Sequence, residues 1–158
     1  NTLAMARLPT LSNLGELDVV YKYHETMKGR PELKNPQQVV DVLKHVFDTQ
    51  KMGLQEQLVV IYLNRQNKVI GTCNMFKGSH SSIVIDMRLI LGAAIKIMAS
   101  GIIVSHNHPS GNTRPSLQDR NLTKQVKEAG KLLDIKLLDH LILTPDDQYI
   151  SMADNGDL

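Results

Sequence analysis

Gly101-Ile102-Ile103-Val104-Ser105-His106-Asn107-His108-Pro109-Ser110-Gly111-Asn112-Thr113-Arg114-Pro115-Ser116-Leu117-Gln118-Asp119 runs from an apolar, β-branched segment through two histidines into a polar loop. Ile102, Ile103 and Val104 predict a buried strand. Two histidines at i, i+2 at a strand end project to the same side, so both imidazoles can reach one ion. A polar loop turns the chain, and a helix is expected from about Ser116 to Leu133, with Asp119 in its first turn. Two nitrogens and a carboxylate oxygen leave a fourth tetrahedral position open to water, which is the pattern of a catalytic zinc rather than a closed structural one. Each piece also has an ordinary reading. With six histidines in the chain, a chance His-x-His is no rarity. Ser116 and Asp119 fit a capping box with Asp in the place of Glu, and taken alone that pair is better read as a cap. The combination within one short stretch is far more specific, and it favours the metal.

Outward from this stretch, the pattern predicts strands joined by both hairpins and helices. Asn35-Pro36 is a helix start, a capping residue followed by Pro at the first helical position. Val39, Val40, Leu43, Val46 and Phe47 follow at helical spacing, and Gly53 is expected to end the element. Leu58 to Leu63 reads as a buried strand. Asn64 to Asn67 is a polar turn, and Val69 to Phe76 is the antiparallel return. Ile83 to Ile85 suggests a short extended piece. Asp86 caps a helix running to about Ser100, with Leu89, Ala93 and Ile97 on its buried face and Gly101 as its C-terminal glycine. Lys136 to Leu143 and Tyr149 to Met152 are further strands, and Leu17 to Tyr23 is another candidate. The order is that of an α/β fold with a mixed β-sheet and flanking helices. The strands at Leu58–Leu63 and Ile102–Val104 are expected to share one sheet.

Composition narrows the possibilities. A chain of 158 residues is long enough for one domain with a core that needs no disulfide. Trp is absent and aromatic content is 4%, so aliphatic side chains must build that core. A net charge of +2 with no run of like charges is no footprint for nucleic acid, so DNA binding is expected to be weak or absent. Cys73 is the only cysteine, which excludes an internal disulfide and fits a reducing compartment. It reads as a small buried strand residue. No apolar run reaches the length of a membrane span, and no signal peptide is visible at the start. The expected location is cytoplasmic. A nucleobase deaminase would need a Pro-Cys-x-x-Cys ligand set, which one cysteine rules out.

The His106–Asp119 stretch resembles the JAMM motif of the JAB/MPN metallopeptidases, His-x-His-Pro-x6-Ser-x2-Asp, at every specified position. The longer string His106-Asn107-His108-Pro109-Ser110-Gly111, with Pro115-Ser116-x-x-Asp119, is similar to the RadC-like branch of that family. So is Leu138-Asp139-His140-Leu141-Ile142. The similarity spans roughly Gln50 to Met152. It implies a JAB/MPN-like domain of cytidine deaminase-like architecture over 36–158, preceded by an N-terminal extension over 1–35. It implies Zn2+ held by His106, His108 and Asp119. A glutamate on an earlier strand would act as general base, and Glu56 is the candidate because it opens the strand at Leu58–Leu63. Glu16, Glu25 and Glu32 are the other upstream choices. Ser116, besides capping the helix, would steady the oxyanion of the tetrahedral intermediate. The implied activity is metal-dependent hydrolysis of a peptide or isopeptide amide in an unidentified peptide or protein substrate. Relatives of this branch often carry a helix-hairpin-helix region before the domain, and the N-terminal part here shows no such glycine-bearing hairpin. The alternatives are a DNA-repair-associated RadC-like accessory protein that acts by binding, and a scaffold domain without catalysis. Of the other histidines, His24, His45, His80 and His140 are read as structural or exposed, and Ser105 as an outside candidate for supporting the first ligand.

Overall fold

A computed structural model describes residues 29–77 and 85–158. The expected strand at Leu17–Tyr23 and most of the extended piece at Ile83–Ile85 lie outside the described residues. Helix α1 (Pro36–Val46) starts as its sequence dictates: the Asn35 side chain accepts from the Gln38 N–H, and Pro36 needs no N–H partner in the first turn. Val39, Val40 and Leu43 form its buried stripe. The helix stops well before Gly53. At Phe47 the backbone turns extended, and its side chain is buried in the core. The Gln57 side-chain amide then exchanges two hydrogen bonds with the backbone of Asp48, both at 2.9 Å. This anchor competes with helix continuation, and a short 3₁₀ turn (Thr49–Lys51) follows.

Strand β1 (Gln57–Leu63) is buried along its whole length, as a central strand must be. A turn at Asn64–Asn67, with Asn67 at a φ of 55°, leads into β2 (Val69–Lys77), which pairs antiparallel with β1. Asn and Asp tolerate such left-handed backbone better than other side chains. Helix α2 (Met87–Lys96) is capped by the Asp86 carboxylate, which accepts from the Arg88 N–H. It is shorter than expected, because Met98 takes the left-handed conformation and ends the element. Gly101 instead opens strand β3 (Gly101–Asn107), where an added Cβ would lie 3.1 Å from the Leu138 side chain. The buried face of α2 is Ile90, Leu91 and Ala94, with Ala93 and Ile97 partly covered and Leu89 exposed. The apolar run Leu89-Ile90-Leu91 offers more than one helical phase, and packing chose between them.

Helix α3 (Leu117–Lys131) connects β3 to β4 (Lys136–Leu143), its parallel neighbour, and β5 (Tyr149–Ser151) returns antiparallel. The sheet order is β2-β1-β3-β4-β5, so β1 and β3 share one sheet, as the sequence required. Strand alternation divides the core into two layers. Val59, Ile61, Leu63 and Ile103 face α1. Leu58, Val60, Tyr62, Ile102 and Val104 face α2 and α3. His106 shares the parity of Ile102 and Val104, so it faces the N-terminal end of α3. The expected α/β fold with a mixed sheet and flanking helices is therefore the one observed.

One irregularity matters for the site. In the β3–β4 ladder Ile102 pairs with Leu137, but Ile103 pairs with Asp139, leaving Leu138 as an extra residue. Such a bulge reverses the side-chain alternation beyond it. Leu137 packs on the α2/α3 layer, while Leu138 and Leu141 pack on the α1 layer. His140 is thereby turned toward α3. The Asp139 carboxylate fixes the bulge by accepting from the His140 and Ala153 N–H groups and from the Ser151 hydroxyl.

Candidate metal centre

The site forms where the C-terminal end of β3 meets the first turn of α3. His106 is buried as the penultimate residue of β3, and His108 follows it past the strand end, half-buried. The His108 N–H bonds the Leu143 carbonyl, which extends the β3–β4 pairing by one step and holds the second histidine in line. Asp119 is delivered from the other side by the capping box. Ser116 Oγ accepts from the Asp119 N–H, and Asp119 Oδ2 accepts from the Ser116 N–H at 2.7 Å and hydroxyl at 2.6 Å. The cap and the ligand readings of this pair thus hold together: the cap aims the carboxylate.

The three side chains converge. His106 Nε2 lies 3.0 Å from His108 Nε2 and 3.1 Å from Asp119 Oδ1, and His108 Nε2 lies 3.4 Å from Asp119 Oδ2. Four ligands at bond lengths of about 2.1 Å place tetrahedral neighbours about 3.4 Å apart, so the spacing is right for a small cation. The chemistry of the donors fits as well. His108 Nδ1 lies 2.6 Å from the Asn112 carbonyl, which can only accept, so the ring carries its proton there and turns an Nε2 lone pair inward. Burial pushes the Asp119 carboxyl up, but the flanking His106 and His108 rings and the Ser116 hydroxyl outweigh it and hold the group well below the ordinary carboxylate range. The Asp119 carboxylate in turn raises His108 toward its charged form, against the effect of burial. The set draws positive charge to its centre, and His106, His108 and Asp119 can hold a metal ion.

Glu56 reaches the same place from β1. The antiparallel register pairs Leu58 with His106, and one step back along each chain the Asn107 side chain accepts from the Gln57 N–H at 2.7 Å. Continuing that register sets Glu56 opposite His108. Glu56, His106, His108, Ser116 and Asp119 line one open cleft of about 690 Å³. Glu32 instead bridges to Lys68 and pairs with Lys34; Glu16 and Glu25 lie outside the described residues.

Three residues near the centre have contacts there that the sequence did not assign to them. Asn107 anchors the approach to β1 by donating to the Met52 and Gln55 carbonyls while accepting from Gln57. Thr123, one turn along α3 from Asp119, donates to the Asp119 carbonyl at 2.7 Å. His140 is fully buried, with Nε2 2.9 Å from His106 Nδ1 and Nδ1 2.6 Å from Thr123 Oγ1. It is structural, as read, but it touches a ligand. Burial first, and then the neighbouring His106, holds it well below the ordinary histidine range, so it is neutral. The available signal was a histidine and an aspartate inside an otherwise apolar strand. Ser105 donates to the Leu141 carbonyl on the opposite face and does not support the ligands. His45 is exposed, and His24 and His80 lie outside the described residues. Cys73 is half-buried on β2. Among the described residues, no helix is long and apolar enough to cross a membrane.

Curated relatives include a UPF0758 protein of Clostridium perfringens, 45% identical over 114 residues, which are 72% of this chain and 50% of the relative. A UPF0758 protein of Flavobacterium johnsoniae is 43% identical over 101 residues, 64% of this chain and 44% of the relative. One from Geobacillus is 38% identical over 128 residues, 81% of this chain and 55% of the relative. The chain thus spans about half the length of the curated relatives it matches. A family model described as the RadC-like JAB domain matches residues 33–157, which take in every strand and helix described above together with the His106, His108 and Asp119 cluster, and the chain belongs to that family.

Proposed function

We propose that the chain is a zinc-dependent hydrolase of the JAMM metallopeptidase type, cleaving a peptide or isopeptide amide. The observation that carries this reading is an open three-ligand set facing an acidic side chain across one cleft. Zinc bound by His106, His108 and Asp119 would supply Lewis acidity, which lowers the pKa of water from 15.7 to roughly 7. The chain's own residues divide the remaining work. Glu56, opposite His108, takes the proton of the attacking water and delivers it to the departing nitrogen. Ser116 sits at the mouth of the cleft, with its hydroxyl hydrogen given to Asp119. Turned toward the substrate, that hydrogen steadies the developing oxyanion. The cleft wall along α3 carries Leu117, Leu122 and the amides of Gln118, Asn121 and Gln125. Uncharged donors and acceptors between apolar patches suit a peptide backbone.

The test is to load the purified protein with zinc and offer it a peptide library and an isopeptide-linked protein pair, reading products by mass spectrometry. Cleavage that a chelator abolishes and zinc restores is the expected result. Intact substrates throughout, with zinc demonstrably bound, would count against hydrolysis and favour a binding role.

A further inference from the structure

We infer that Arg114 is a specificity-determining residue that binds a carboxylate of the substrate beside the scissile bond. The inference deepens the hydrolase reading and rests on it for the bond that is cleaved. A second lobe of about 380 Å³ joins the cleft at Glu56, His108 and Ser116, which line both. Pro109, Ser110, Asn112 and Arg114 complete its walls. A peptide whose reacting carbonyl sits at that junction lies with one half in each lobe. The two halves meet different chemistry. The lobe along α3 offers amides and apolar side chains, with no Lys or Arg. Arg114 is the one Lys or Arg among the described residues that lines either lobe.

The base of Arg114 is fixed, while its charged end is unclaimed. The loop closes tightly behind His108: the Gly111 N–H donates to the His108 carbonyl at 3.1 Å, and the Asn112 carbonyl lies 2.6 Å from His108 Nδ1. The Arg114 N–H donates to the Asn112 side chain at 2.9 Å, and buried Pro115 follows, which restricts Arg114 to extended backbone. The Arg114 side chain is exposed and makes no hydrogen bond or ion pair with any described residue, Glu56 of the same lobe included. A guanidinium is always charged, and its fork of N–H groups matches a carboxylate. In a peptide, only acidic side chains and the free C-terminus supply that group. Beside the carboxylates of Glu56 and Asp119, an acidic substrate needs a cation of its own, and Arg114 is placed to provide it.

The test offers the zinc-loaded parent, Arg114→Ala and Arg114→Glu a peptide set varied one position at a time, with Glu, Gln or Lys at each. Every peptide is made with a free and with an amidated C-terminus. Cleavage is read by mass spectrometry, and binding of uncleaved peptides by calorimetry. In the parent, kcat/KM should favour a carboxylate at one position roughly 10–100-fold over its neutral counterpart, as a charge-assisted hydrogen bond does. Preference for Glu over Gln in amidated peptides makes the group a side chain; preference for the free over the amidated end makes it the C-terminus. Arg114→Ala should erase the preference, chiefly through KM, and Arg114→Glu should reverse it. Cleavage without any such preference, or with one that survives Arg114→Ala, would overturn the inference and leave the hydrolase reading standing. If no peptide is cleaved, but carboxylate-dependent binding appears and Arg114→Ala removes it, recognition by Arg114 stands and the hydrolase reading fails. With neither cleavage nor carboxylate-dependent binding, both fail.

Discussion

At the scale of single residues, the cleft separates two kinds of carboxylate. Asp119 is tied by the Ser116 N–H and hydroxyl and pressed against both imidazoles. Glu56 sits across the cleft, one residue before β1, where the register continued from Leu58 and His106 meets His108. Glu56→Gln should therefore leave fold and zinc content unchanged while hydrolysis falls about 10²–10⁴-fold, because an amide cannot take the water proton. His106→Ala should lose the metal and the activity together. Zinc content by plasma emission and turnover on a cleavable amide separate the two; release of zinc from Glu56→Gln would make Glu56 a ligand instead of a base. His106, His108, Ser116 and Asp119 were legible in the sequence because the ligands and the cap fall in one short stretch, whereas Glu56 was singled out only through the family resemblance. His140 was not, since its facing depends on a bulge that no periodicity announces. Asn107 was hidden for a related reason, as its partners lie some fifty residues away in sequence, at Met52, Gln55 and Gln57.

At the scale of elements, β1, β2, β4 and β5 were read to within a residue, β3 was read three residues short at its C-terminal end, and the ends of α1 and α2 were misplaced. Apolar β-branched runs bounded by polar turns mark their own limits. The end of α1 is instead decided by a side chain from elsewhere, Gln57, and the end of α2 by Met98 in a conformation that favours glycine. The return from α3 to β4 shows a glycine with a defined role. Gly130 closes the last turn, with its carbonyl accepting from Leu133 and Ile135. A Cβ at this position would overlap the Ile135 carbonyl oxygen. Gly130→Ala should cost about 1–3 kcal/mol, the range for overpacking, despite the better helix propensity of Ala. A thermal melt of the metal-free protein checks this, and a parental or higher Tm would show that the α3–β4 corner yields more easily than its backbone contact implies.

At the scale of the whole molecule, a mixed five-strand sheet covered by helices on both faces holds a site assembled from β1, β3 and α3. The small net charge gives no general attraction to polyanions. Titration against duplex DNA at physiological salt should accordingly give weak, sequence-independent binding at most, in the 10⁻⁴–10⁻⁶ M range of nonspecific contacts. Nanomolar affinity would revive the reading of an accessory protein that acts on DNA by binding. Crystals grown with zinc and measured on both sides of its absorption edge show whether the metal is there. One anomalous peak per chain is expected, bound by His106 Nε2, His108 Nε2 and an Asp119 oxygen, with Glu56 outside the ligand set. His106 and His108 pointing apart in zinc-replete crystals, with no peak between them and Asp119, would contradict a metal centre here.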